Sequence, residues 1–174
     1  MKKFIAIVLT LVMALAFAAC GGEKVIERDD EKTTGGATDS AKAFVFVYNN
    51  VDVPILAKAD EVMPKLGEPT SKFEAASCAF GELDTTYTYP GIEIGTYQEK
   101  GIEYISYVLL KDDSVETPEG LYIGAEAAKV AELYGEPTSK TDNSVTYLTS
   151  NMKLVIFLED EAVSNIQYFN IVLD

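Results

Sequence analysis

Few side chains in this sequence are equipped to make or break bonds. Its 174 residues include no histidine and no tryptophan. Without histidine there is no imidazole to move protons near neutral pH, no Ser-His-Asp or Cys-His nucleophile, and none of the commonest zinc ligand. Carboxylates are left as the candidates for general acid–base work. They occur as Asp112-Asp113 and Glu159-Asp160-Glu161, in stretches of turn composition where acidic runs are solvated. Ser71-Lys72 and Ser139-Lys140 are adjacent pairs, whereas Ser-Lys catalysis uses Ser-x-x-Lys spacing. No Asp-x-Asp-x-Asp-Gly calcium loop occurs. These residues assign no catalytic group, no metal site and no cofactor, so the expectation is a chain that is not an enzyme. Two thiols remain, Cys20 and Cys78.

Cys20 is the residue with a chemical role. Lys2 and Lys3 precede an apolar run from Phe4 to Ala19, broken only by Thr10, which is the layout of a secretory signal peptide. The run has 16 residues, fewer than the roughly 20 of a spanning helix. Leu15-Ala16-Phe17-Ala18-Ala19-Cys20-Gly21 resembles a bacterial lipobox, departing from it at Phe17, where that motif has an aliphatic residue. The resemblance implies cleavage before Cys20, a signal peptide at 1–19, and acyl chains on the thiol that hold the chain on the extracytoplasmic face of the cell membrane. Two or more such chains anchor stably where one does not. Residues 20–42 are polar, with Val25 and Ile26 their only sizeable apolar side chains. They read as a flexible tether with an average reach of about 25 Å.

The charge excludes some partners. Fourteen basic and 28 acidic residues give −14, and losing Lys2 and Lys3 with the leader moves this to −16. Nucleic acid is excluded as a partner, because phosphate contacts need the opposite sign. Docking on anionic lipid through a basic patch is excluded too, which leaves the lipid on Cys20 as the link to the membrane. With Cys20 acylated, Cys78 has no partner within the chain. Its neighbours Ala75, Ala76, Ser77, Ala79 and Phe80 suit an inert, buried thiol.

The elements that position any surface lie in residues 43–174, which read as a duplicated domain. Gly67-Glu68-Pro69-Thr70-Ser71-Lys72 recurs as Gly135-Glu136-Pro137-Thr138-Ser139-Lys140, and Ile55, Ala57, Ala59 and Val62 match Ile123, Ala125, Ala127 and Val130 at the same spacing. Apolar periodicity predicts helices over Leu56–Leu66 and Gly124–Tyr134, each stopped by its glycine and proline. Alternation then predicts strands at Thr85–Tyr89, Ile92–Tyr97 and Ile102–Leu110 in the first copy. In the second they fall at Val145–Thr149, Met152–Leu158 and Val163–Val172, and Phe44–Tyr48 supplies one more. The expected fold is α+β, a tandem repeat of a helix followed by a three-stranded antiparallel meander. Repeat 1 covers about 44–112 and repeat 2 about 113–174, and they form one sheet with helices on one face.

A helix ending in Gly-Glu-Pro before three strands, duplicated, resembles the beta-lactamase-inhibitor-protein-like fold and the SmpA/OmlA lipoproteins. It is also similar to an uncharacterised group of Gram-positive lipoproteins. The resemblance implies a protein-binding role without catalytic residues, either in envelope assembly or in inhibiting an extracellular enzyme. Tyrosine packs with its ring while its hydroxyl stays wet. Tyr87, Tyr89, Tyr97 and Tyr104 are therefore the candidate binding surface, for a protein or an envelope component. Strand parity places Tyr87 with Tyr89 on one face, and Tyr104 and Tyr107 on opposite faces of their strand.

Overall fold

Short alternating runs closed by two-residue turns dictate most of the structure. The computed structural model describes residues 44–77 and 82–171. The expected signal peptide, Cys20, the tether, Cys78 and Val172 lie outside the described residues. In chain order the elements are β1 (Phe46–Tyr48), β2 (Val51–Val53), α1 (Ala59–Leu66), β3 (Ser71–Ala76), β4 (Leu83–Tyr89), β5 (Ile92–Glu99) and β6 (Ile102–Leu110). Then come α2 (Ala128–Tyr134), β7 (Ser139–Lys140), β8 (Ser144–Leu148), β9 (Met152–Glu159) and β10 (Ala162–Asn170).

β1 and β2 form a hairpin, turned at Asn49-Asn50 with φ of 49° and 65°. Asparagine tolerates this left-handed pair, the geometry of a tight hairpin turn. The other eight strands make one antiparallel sheet in the order β3-β4-β5-β6-β10-β9-β8-β7.

The expected α+β tandem of a helix with a three-stranded meander is overturned by this architecture. Strand dominates the described residues, and each helix is followed by four strands, because the end of each Gly-Glu-Pro-Thr-Ser-Lys segment itself enters the sheet as β3 or β7. The helices are also shorter than their apolar periodicity predicts, with 8 and 7 residues. Their entry segments spend backbone groups on the sheet instead. Leu56 N–H donates to Ile105 O (2.8 Å) and Ile105 N–H to Ala57 O (2.9 Å). Likewise Gly124 N–H donates to Val163 O (2.7 Å) and Val163 N–H to Ala125 O (2.8 Å). The first amides of a helix need no intrahelical acceptor, but the carbonyls of Ala57 and Ala125, taken by the neighbouring strand, are not left to open the helical ladder.

One face of the sheet is the core. Ile92, Ile94, Ile105, Val108, Leu110, Leu154, Ile156 and Ile166 are fully buried on it. Over them lie Phe46, Tyr48 and Val53 of the hairpin, Val62 and Leu66 of α1, and Val130 of α2. Aromatic contacts tie the layers: Phe46 meets Tyr168 (5.6 Å between ring centroids), Tyr48 meets Tyr89 (5.9 Å), and Phe44 sits against Tyr134 (5.7 Å) and Tyr147 (5.9 Å). Such pairs contribute about 1 kcal/mol each beyond their buried area.

Candidate functional site: the outer face at the β6–β10 seam

The site is set by how the middle of the sheet is joined. Among the described residues β6 and β10 pair over three positions, Leu109 with Gln167, Val108 with Tyr168, and Tyr107 with Phe169. Val108 and Tyr168 point into the core, so Leu109, Gln167, Tyr107 and Phe169 emerge on the opposite, outer face. Among the described residues, both helices and the β1–β2 hairpin pack on the core face.

A β-bulge decides which aromatics share that outer face. Thr96 faces Ile105 but Gly95 faces Tyr107, which leaves Ser106 as an extra residue on β6. An extra residue inverts side-chain parity. Tyr104 and Tyr107 therefore lie on the same face, and the expectation of opposite faces is corrected. Tyr97 pairs with Tyr104 there, and their rings stack at 5.6 Å and 30°.

Tyr107 lies flat across the sheet over Gly95. A Cβ on Gly95 would stand 1.9 Å from Tyr107 Cε1, so only glycine fits beneath the ring. The phenol reaches Glu93 and donates to its Oε1 (2.8 Å), while Thr86 Oγ1 donates to the phenol oxygen (3.3 Å). Burial, then the Glu93 carboxylate, push the Tyr107 hydroxyl up to about 12. Lys111 Nζ stands 3.4 Å from Glu93 Oε2, and Lys153 Nζ rests 5.5 Å from the centre of the Phe169 ring. Glu93, Tyr107, Leu109, Gln167 and Phe169 line a hollow of about 210 Å³. Its floor is aromatic and aliphatic, with a carboxylate, an amide and two ammonium groups around it. The Tyr107 phenol stays protonated at neutral pH and Glu93 is held by two donors.

The four tyrosines named from sequence divide between the two faces. Tyr97 is buried and Tyr104 half-buried on the outer face, beside the seam. Tyr89 is buried in the core, its hydroxyl directed at Gly67 O (3.5 Å). Tyr87 is half-buried on the core side, in a groove of about 430 Å³ between α1 and the ends of β5 and β6. There its hydroxyl donates to Glu103 Oε1 (3.0 Å), which also accepts from Thr96 Oγ1 (2.5 Å). Burial first, and Glu103 next, raise the Tyr87 hydroxyl above its ordinary value. Tyr87 and Tyr89 are thus withdrawn from the surface that holds Tyr97 and Tyr104. The sequence reading missed Glu93, Tyr107, Leu109 and Phe169. One signal was available: Gly95 inside a strand marks a close approach.

Among the described residues no group of three or more acidic or cysteine side chains is placed to hold a metal. No described helix is long and apolar enough to cross a membrane.

No protein-family model matches the chain, and no curated protein matches it. Among solved structures, a cysteine-rich secretory protein from Staphylococcus aureus subsp. aureus Mu50 aligns at 10% identity with a TM-score of 0.47, over 68% of this chain and 44% of its own. An extracellular protein containing an SCP domain, from Bacillus anthracis str. Ames, aligns at 12% identity with a TM-score of 0.43, over 81% of this chain and 50% of its own. The chain spans half or less of the length of these neighbours.

Proposed function

We propose that this chain is a lipid-anchored extracytoplasmic protein, not an enzyme, whose outer sheet face recognises a protein or another envelope component. The observation that carries the binding role is the seam hollow. Tyr107, Phe169 and Leu109 are half-buried there, with polar groups around them and no described helix above. Aromatic floors with polar rims are what binding surfaces use. The anchor follows from Cys20 at the end of the apolar leader, and the net negative charge favours a protein or a neutral envelope component over nucleic acid.

Site-specific photocrosslinking in the full chain, expressed in a bacterium, tests this. The photoreactive residue is placed at Thr88, Thr146 or Lys153 on the outer face, and at Asp60 or Glu132 on the helices. Adducts from the outer-face positions alone are expected. Adducts confined to the helix positions, or none at all, would refute the assignment.

A further inference from the structure

The two edges of the eight-stranded sheet are finished differently. β7 has two residues, and the chain turns away at once as Thr141 N–H donates to Ser144 O (2.8 Å). β3 continues for six residues, all exposed, with β4 as its one neighbour in the sheet. Phe73 in its centre is 66% exposed, the most exposed large hydrophobic side chain among the described residues. A long edge carrying such a residue is a template for another strand.

The pattern along β3 specifies which strand. Ser77 N–H donates to Glu82 O (2.8 Å), and the register continues through Ala75–Asp84, Phe73–Thr86 and Ser71–Thr88. Hydrogen bonding alternates along an antiparallel strand, so residues 71, 73 and 75 direct their backbone groups at β4. Lys72, Glu74 and Ala76 direct theirs at the open edge. A second antiparallel β3 centred on Phe73 meets this requirement. Lys72 then faces Glu74 of the partner subunit, both with outward backbone groups, and the reciprocal pair repeats it. The Phe73 side chains meet about the two-fold axis in the non-hydrogen-bonded position, where side chains come closest. Within one chain Lys72 Nζ and Glu74 Oε1 are already 2.8 Å apart and about half exposed, so the charges are balanced locally although the chain is strongly acidic.

We infer that β3 is a homodimer contact, joining two chains through their edges into one continuous sheet about a two-fold axis at Phe73. The contact is isologous, and its Lys-Phe-Glu core is self-complementary in charge, backbone direction and apolar contact. The contact is independent of the seam hollow on the outer face.

Charge reversal and crosslinking of the full chain, in density-matched detergent, test this. Sedimentation equilibrium is expected to give twice the mass of the single mature chain, as fixed by mass spectrometry of the same sample, at high concentration. Lys72→Glu places acid opposite acid and is expected to weaken association about tenfold, from two cross-strand pairs. Lys72→Glu with Glu74→Lys restores a complementary edge and the dimer. Under mild oxidant Phe73→Cys is expected to link two chains, since its Cα would lie about 4.5 Å from its mate. Ala75→Cys, about 13 Å from its own mate, is not, and it carries the same native cysteines. A monomer in every sample, a dimer indifferent to Lys72→Glu, or capture of a different protein by Phe73→Cys would each overturn the assignment.

Discussion

Gly95→Ala is the most direct probe of the seam. The added carbon would meet Tyr107 Cε1 at 1.9 Å, Cδ1 at 2.3 Å and Cζ at 2.5 Å. Ordinary carbon contacts begin near 3.5 Å, so the ring must retreat by about 1.5 Å. That displacement removes the phenol from Glu93, now 2.8 Å away. A hydrogen bond to a charged acceptor is worth about 1.5–3 kcal/mol, against roughly 0.5–1 kcal/mol gained by replacing glycine in a strand interior. A net loss of about 1–2 kcal/mol is expected, lowering the midpoint of thermal unfolding by roughly 4–8 °C. Far-UV circular dichroism on heating and in urea measures it. The same substitution in a Tyr107→Ala chain should be neutral or favourable, leaving a coupling of roughly 2 kcal/mol between the two sites. Alkaline titration gives an independent readout. A phenol raised from 10 to about 12 on folding holds its proton more tightly in the folded state. Its stabilising contribution is complete below pH 10 and is lost as pH climbs through 12. Gly95→Ala should return this titration toward 10. Unchanged stability, coupling below about 0.5 kcal/mol and an unmoved phenol would refute the packing of Tyr107 on Gly95.

Gly91 and Gly101 share nearly the same backbone, with φ of 76° and 75°, but only Gly91 is crowded: a Cβ there would stand 2.2 Å from Val115 Cγ2. Gly101→Ala should cost about 1 kcal/mol from conformation alone, and Gly91→Ala at least about 1 kcal/mol more from overpacking, as read from urea midpoints. Thr117 is buried, and its hydroxyl oxygen accepts from Leu121 N–H (3.1 Å) and Tyr134 O–H (2.7 Å). Thr117→Val leaves the Leu121 N–H without that acceptor, while Tyr134 keeps Glu119 Oε2 at 3.0 Å, and should cost about 1–3 kcal/mol, whereas Thr117→Ser should retain most of the stability. For the anchor, mass spectrometry of the mature N-terminus should find an acylated Cys20 as its first residue, and a chain still beginning at Met1 would dismiss it.

Strands closed by strong turn signals were legible. Pro90-Gly91 and Lys100-Gly101 bracket β5, whose flanking residues alternate clearly. The edge strand β3 was not. Ser71-Lys72-Phe73-Glu74-Ala75-Ala76 buries nothing, so its composition carries no imprint of an inner and an outer face. Helix starts were misread for a related reason. Leu56 belongs to an apolar helical stripe in the sequence, yet its φ is 69°, and Gly124, its match 68 residues on, has φ 95°. Both copies use the same left-handed corner ahead of the helix, one with the residue suited to it and one without. Only the glycine announces the corner, and it reads equally well as a helix boundary.

The candidate surface was half legible because tyrosine identity is visible in a sequence but strand parity across a bulge is not. Both strands at the seam carry one extra serine, Ser106 in β6 and Ser164 in β10. Bulges bend a strand and increase its twist. The N-terminal ends of β6 and β10 are therefore free to diverge, and each pairs with a helix-entry segment instead of with the other. The same two insertions thus limit the central pairing to three positions, admit the backbone leading into each helix, and place Tyr104 and Tyr107 on one face. Removing Ser106 alone would restore simple alternation through β6. Ile105, now fully buried, would then directly precede Tyr107 and stay on the core face, and Tyr104 would stay on the outer face. The insertion is what lets Tyr104 and Tyr107, three positions apart in the sequence, share the outer face, where uninterrupted alternation would set residues at that spacing on opposite sides.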